Sequence, residues 1–277
     1  MIPDMAAPVV RQIMAARSAR RPADGEPTLL DVGCSYGINA ALARFPLSFR
    51  DLQRRYSRRE VMALTSDELA ALDRRYFEGW PRRTGSRMVG LDISAPAIAY
   101  ARRVGLIDAG VAADLEARAL EPAEAAILSQ ADVILSTGAI GYVTERTFDR
   151  LLDAASARSP WVVSFVLRMF PFDRLEAAFA RRGLVTEKLT GATFVQRRFR
   201  DAEEFERTLA GLSALNLDVT GLEADGLLHA ELFVSRPEAD ARAAPLDELV
   251  TVSSGHDAGP RYVLIDTDHG AQVGVES

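Results

Sequence analysis

Three acidic residues in this chain each close a short apolar run, and one of them opens a glycine turn. Residues 28–39 read TLLDVGCSYGIN: apolar positions ending at Asp31, a small-residue loop from Gly33 to Gly37, then the start of a helix. Asp92 ends MVGLD in the same manner, and Asp114 follows GVAA. An ionised carboxylate only accepts hydrogen bonds, so such groups at strand ends suit the paired hydroxyls or the amine of a ligand. A helix N-terminus beyond a glycine turn suits a carboxylate or a phosphate. The dinucleotide fingerprint needs glycines at the first, third and sixth positions of this loop; counted from Gly33 the third is Ser35 and the sixth is Ile38. A nicotinamide dinucleotide site is therefore disfavoured.

Apolar runs and helical spacing alternate along the chain, which predicts a parallel sheet with helices on both faces and a ligand crevice at the carboxyl ends of its strands. The predicted strands are Thr28 to Val32, Met88 to Leu91, a short one ending near Asp114, the ADVILSTG segment, and Trp161 to Leu167. Two β-rich pieces about Gly191 and a last strand at Leu227 to Val234 follow. We divide the chain into an N-terminal helix and linker (1–27), a main domain (28–235) and a partly ordered tail (236–277) with one candidate strand at Tyr262 to Ile265. Met5, Val9, Ile13 and Met14 mark the buried side of the N-terminal helix.

Residues 45–87 form an unusually long connection inside the first strand–helix–strand unit. Ser48 with Asp51 and Thr65 with Glu68 resemble capping boxes and predict two inserted helices, placed where a lid or a homodimer surface could form. From Arg44 to Arg87 eleven arginines face six acids, a balance of +5 in a chain whose net charge is −6. A solvated helical face is the default for these arginines; facing the crevice, they would favour an acceptor bearing carboxylate or phosphate.

LLDVGCSYG resembles the first motif of class I S-adenosylmethionine-dependent methyltransferases, and the later strand ends are similar to that family's motifs in order. The resemblance covers roughly residues 28–235. It implies a doubly wound, mostly parallel, seven-stranded Rossmann-like sheet with an antiparallel C-terminal strand. It further implies S-adenosylmethionine as cofactor, with S-adenosylhomocysteine as product. The cofactor would lie along Asp31, Gly33, Cys34, Ser35 and Gly37. Asp92, beside Ile93, would hold the ribose hydroxyls, and Asp114, beside Leu115, the adenine amine. Ser136, Thr137 and Gly138 in ILSTGAIGYV would flank the methionine part and the acceptor. Two departures stand out: Ser35 replaces the middle glycine, and 92 − 31 = 61 residues separate the first two acids, well above the ~20 of a simple βαβ site.

Methyl transfer needs chiefly an acceptor held in line with the S–CH3 bond in a dry site. Where a base is required, the candidates are Tyr142 and His229, with Glu145, Arg168 and Glu231 nearby in the predicted crevice. His229 alternates with apolar residues in a strand, and Cys34 reads as a small buried loop residue. The expected enzyme methylates O, N or C of a small molecule; methylation of RNA or protein, or a non-catalytic cofactor-binding scaffold, are the alternatives.

A single cysteine excludes an intramolecular disulfide or a cysteine cluster, and no metal site is expected. The negative net charge and the helical spacing of Tyr56, Tyr76, Phe77 and Trp80 argue against nucleic acid. The absence of an apolar run of membrane-spanning length or a basic leader leads us to expect a cytoplasmic protein.

Overall fold

The structure, a computed structural model, describes residues 2–22, 25–252 and the strand pair 262–267 and 270–275. Five parallel strands form the main sheet: β1 (Leu29–Val32), β2 (Met88–Asp92), β3 (Ala109–Ala112), β4 (Val133–Thr137) and β5 (Trp161–Leu167), in the order β3-β2-β1-β4-β5. β8 (Leu227–Pro237) runs antiparallel to β5. Its far edge is taken by β6 (Leu184–Lys188) and β7 (Phe194–Arg198).

The sheet therefore has eight strands rather than seven, for a reason visible in the register. Paired residue numbers sum to 421 along β6 and β8, as in 188 + 233, and to 424 where β7 begins, as in 194 + 230. β6 and β7 are one edge strand broken by an extra three residues around Gly191. That edge occupies the seventh position as two pieces.

Alternate residues of β1 face opposite sides of the sheet. Leu29 belongs to a core with Val133, Trp161 and Phe165; Leu30 and Val32 belong to a second with Ile134, Val162 and Val166. The first side is covered by α1 (Ile2–Arg20), α2 (Ile38–Arg44) and α6 (Ala95–Arg103). The second is covered by α7 (Pro122–Leu128), α8 (Glu145–Ala154) and α9 (Asp173–Ala180). This two-sided burial is what makes the strands read as continuous apolar runs.

α1 buries Ile2, Ala6, Val9, Val10, Ile13 and Met14, whereas Met5 is largely outside, so the buried face is rotated from the one expected. Arg17 ends that face, fully buried, donating to the carbonyls of Asp132 and Arg158 beneath β4 and β5. Among the described residues no helix is long and apolar enough to cross a membrane. Beyond β8, α11 (Glu238–Ala243) and α12 (Leu246–Leu249) follow, and β9 (Tyr262–Thr267) pairs antiparallel with β10 (Gly270–Val275). α10 (Ala202–Ala214) lies between β7 and β8 in the chain.

The insertion contains three helices, α3 (Phe49–Tyr56), the single turn α4 (Arg59–Met62) and α5 (Ser66–Glu78), and both capping boxes are formed. Its core is polar. Asp73 is fully buried and accepts from Arg55 at 2.9 and 2.6 Å, from the Tyr56 hydroxyl at 3.0 Å and from the Tyr100 hydroxyl of α6. Arg55 also lies 4.0 Å from the Tyr76 ring centroid. Burial pushes the Tyr56 phenol up to about 12 and raises that of Tyr100 as well, so both stay protonated donors. Arg55 is thus a structural cation, unlike its exposed neighbours Arg54, Arg58 and Arg59.

Removing Asp73 leaves Arg55 without its counter-charge and the Tyr56 and Tyr100 hydroxyls with each other, 3.3 Å apart, in place of their shared carboxylate. Asp73→Ala should cost on the order of 3 kcal/mol in denaturant unfolding. Wild-type stability in that variant would mean that the cluster does not hold the insertion to α6.

Candidate functional site

The carboxyl ends of β1, β2, β3 and β4 open on one crevice of about 550 Å3. Its geometry begins with the loop after β1, where Gly33, Ser35 and Gly37 all have positive φ, at 72°, 49° and 83°. The Gly33 and Cys34 amides both donate to the Leu91 carbonyl at the end of β2, at 2.8 and 3.1 Å. The Ser35 amide donates to Asp92 Oδ2 at 2.9 Å, and the Ser94 amide to Asp92 Oδ1 at 2.8 Å. Asp92 does not cap α6; Ser94 does, accepting from the Ala97 amide.

Gly33 and Gly37 are required by space as well as by dihedral angle. A Cβ on Gly33 would lie 3.1 Å from Ala139 Cβ, and one on Gly37 3.2 Å from Leu106 Cβ. Ser35 has no such excuse, and a left-handed conformation costs an L-residue roughly 1–2 kcal/mol. The capture of its amide by Asp92 offsets that strain.

Of the residues singled out in the sequence, Gly33, Asp92, Ile93, Asp114, Leu115, Thr137, Gly138 and Tyr142 come together as walls of the crevice. Ile93 and Tyr142 are unusually open for their size, 76% and 85% exposed, and both stand at this site. Asp114 is exposed, with Oδ1 accepting from the Glu116 and Ala117 amides at 2.9 and 3.2 Å. Gly138, at φ 86°, is pressed by Gln196 of β7, whose Nε2 lies 2.6 Å from where a Cβ would be.

Other singled-out residues lie outside the crevice wall. Cys34 is buried, its Sγ 2.6 Å from where a Cβ on Gly90 would be, and burial raises its thiol pKa, so it is no nucleophile. Ser136 is fully buried within β4, its hydroxyl without a partner among the described residues. His229 is buried on β8, its Nδ1 2.9 Å from Thr193 Oγ1, and burial holds its pKa below the ordinary value. It is a buried strand histidine that does not line the crevice. Arg168 is buried against Glu223 and donates to the Asp218 carbonyl at 2.7 Å, Glu231 pairs with Lys188 at 2.8 Å, and Glu145 pairs with Arg174 at 2.8 Å.

Asp31 is also buried, 3% exposed, with a helper that sequence reasoning missed. Asn39 Nδ2 donates to both Asp31 oxygens at 3.1 Å and to Thr137 Oγ1 at 2.8 Å. Burial pushes the Asp31 carboxyl up to about 7; the Asn39 bond opposes this and the charge of Asp92 adds to it. Asn near the start of a helix, eight residues beyond a buried acid, is the signal that could have found this pair, since asparagine is a poor helix former. Glu116, also unforeseen, accepts from the Thr144 amide at 2.8 Å and from the Thr144 and Thr147 hydroxyls at 2.8 and 2.6 Å. No group of three metal-binding side chains occurs among the described residues.

No protein-family model and no curated protein matches the sequence. Among solved structures the chain is similar to the plantazolicin methyltransferase BpumL in complex with SAH (13% identity, 85% of each chain, TM-score 0.41). It is also similar to a TehB-like SAM-dependent methyltransferase from Corynebacterium glutamicum (17%, 79% of this chain and 86% of that one, TM-score 0.37). A third is the CurJ carbon methyltransferase (10%, 84% and 54%, TM-score 0.43). Likeness at this level decides nothing about chemistry, which must come from the site.

Two predictions come from the loop. Ser35→Gly should raise stability by about 0.5–1 kcal/mol in chemical unfolding, by relieving the left-handed strain. Asp31 favours its neutral form in the fold, so its contribution to stability is fullest below about pH 4 and declines as pH rises towards 7. Asp31→Asn should flatten the melting temperature over that window and stabilise the ligand-free protein at pH 8; an unchanged profile would contradict the assignment. This chain is a Rossmann-like doubly wound α/β protein with its crevice at the carboxyl ends of the parallel strands.

Proposed function

We propose that the crevice binds S-adenosylmethionine and that the protein transfers its methyl group to a small molecule. The observation that carries this reading is the convergence on one crevice of the β1 loop, Asp92, Asp114 and the Thr137–Tyr142 turn, from four adjacent strands. The volume of about 550 Å3 lies within the usual range for small-molecule sites.

The residues fit the cofactor's parts. Two of the acceptor sites on Asp92 are used by backbone amides, which fixes the carboxylate and leaves its outward lone pairs for the ribose hydroxyls. Asp114 keeps Oδ2 for the adenine amine, and the exposed face of Ile93 with Leu115 and Val143 provides apolar walls for the ring. Asn39 donates to Thr137 Oγ1, so the Thr137 hydroxyl proton is turned away from Asn39 and can serve the methionyl carboxylate. Behind it the buried Asp31 holds the Asn39 amide, which in turn fixes Thr137 at the wall.

When bound, the sulfonium supplies an electrophilic methyl group. The protein's contribution is position: the fixed β1 loop orients the donor, Gly138 makes room for Gln196 of β7 behind the crevice wall, and Tyr142 stands exposed at the wall as a protic side chain for an incoming acceptor. A deprotonating residue is needed only for an acceptor that must lose a proton, and Tyr142 is our candidate for steering it. The methyl-transferring resemblance of the first motif supports the same reading. The basic patch does not line this crevice, so nothing in the walls favours an acidic acceptor.

Calorimetry with S-adenosylhomocysteine should show one site per chain, and Asp92→Ala should abolish binding, because the same change frees the Ser35 amide. Absence of heat with both S-adenosylhomocysteine and S-adenosylmethionine would overturn the proposal. Labelled methyl transfer into a size-fractionated cell extract should place label in small molecules; label in RNA or protein would overturn the acceptor class.

A further inference from the structure

We propose a second ligand site, for a small anion carried on a planar apolar ring, in the concavity between α5 and the C-terminal end of α6. It encloses about 480 Å3 and shares no wall residue with the crevice, so it is independent of the reading above. Beneath it Phe45 and Phe77, both buried, stack on each other at 5.7 Å and 22°, and the half-buried Trp80 is the ring that remains open to a ligand. Its polar walls are four guanidinium groups, Arg74, Arg82, Arg102 and Arg103, against one carboxylate, Glu78.

Two of the four are already engaged. Arg74 pairs with Glu78 at 2.9 Å, and Arg103 pairs with Asp67. Arg82 and Arg102 have no carboxylate partner among the described residues. The charge of Arg82 also reaches buried Arg44, where it adds to burial in lowering the pKa. A concavity with two free arginines is notable in a chain of net charge −6.

The chemistry of the walls selects the ligand. A guanidinium presents parallel N–H donors that match a phosphate or carboxylate edge, and is weakly enough hydrated to bind one in a groove. Aromatic side chains accept a flat ring by offset stacking or edge-to-face contact. Neither feature alone needs a pocket; their combination in one concavity does. The arginine excess of the insertion thus divides: Arg44 and Arg55 are structural, while Arg82, with Arg102 from α6, faces an open volume.

Phenyl phosphate is a suitable probe because it does not resemble a nucleoside. Titrated into the full chain at low salt, followed by calorimetry and by the fluorescence of Trp80, it should bind with a Kd of about 1 mM or tighter. Inorganic phosphate and phenol, titrated separately, should each bind at least about tenfold more weakly. Arg82→Gln with Arg102→Gln should weaken phenyl phosphate by about tenfold or more without moving the melting temperature. Saturating S-adenosylhomocysteine should leave the affinity for phenyl phosphate unchanged. No binding at about 10 mM, undiminished binding in the double variant, phenol binding as well as phenyl phosphate, or displacement by S-adenosylhomocysteine would each overturn the proposal. Phosphate binding as well as phenyl phosphate would overturn its aromatic part.

Discussion

The bond from the Ser35 amide to Asp92 is the interaction on which the site depends. β1 and β2 are adjacent parallel strands, and their ends diverge into unrelated connections, one to α2 and one to α6. Nothing in the ladder fixes the loop beyond Val32. Two amides on the Leu91 carbonyl begin the fixing, and the third, on Asp92, completes it. Because Asp92 also accepts from Ser94 at the start of α6, one carboxylate sets both the loop geometry and the entry of the next helix. A hydrogen bond to an ionised acceptor is worth more than a neutral one, about 1.5–3 kcal/mol net, which is the size needed to hold a serine at φ 49°. The positions of Gly33 and Gly37 follow from that turn.

The insertion answers a different constraint. The insertion between α2 and β2 lends Leu47, Leu52 and Phe77 to the first core and must still be tied to the helix that follows β2. The solution is a charge cluster: Asp73, Arg55, Tyr56 and Tyr100, closed by the Tyr76 ring over the guanidinium. Burying a pair of charges is costly, and only full satisfaction of their hydrogen bonds makes it tolerable. Asp73 accepts from three side chains. Since Tyr100 belongs to α6, the cluster joins the insertion to the helix that begins just beyond Asp92, so insertion and crevice share one rigid support.

Features encoded locally were legible in the sequence, and features settled by a distant partner were not. Ser48 with Asp51 and Thr65 with Glu68 show their capping boxes within four residues, and both formed. β1, β2, β4 and β5 are short apolar runs buried on two sides, and their sequence alone marks them. The break between β6 and β7 was legible as well, as two β-rich pieces about Gly191; by contrast, that both pieces line one edge of β8 depends on a pairing with a strand far along the chain. The walls of the crevice from Asp92 to Tyr142 were legible because parallel strands must end on one side. His229 could not be placed, since a strand histidine faces whichever side the register dictates. Asn39 and Glu116 escaped notice because their partners, Thr137 and Thr144, lie 98 and 28 residues away.

Both walls of the crevice are held by hydrogen-bonded carboxylates while Tyr142 stands exposed between them, and this bears on how positioning can substitute for reactive groups. Burial works against the Glu116 carboxylate, yet the bonds from Thr147 and Thr144 prevail and hold its pKa below the ordinary value. It remains an ionised clamp between the loop after β3 and the N-terminus of α8. On the opposite wall the Ser35–Asp92 bond does the same for the β1 loop. Between them stands Tyr142, beside Gly141 at φ 112° and without packing of its own ring. A ligand entering this crevice would meet two fixed walls and one adaptable residue at the mouth. Under the proposed methyl transfer, fixed walls would supply the alignment of the donor, and selection among acceptors would fall to the mouth.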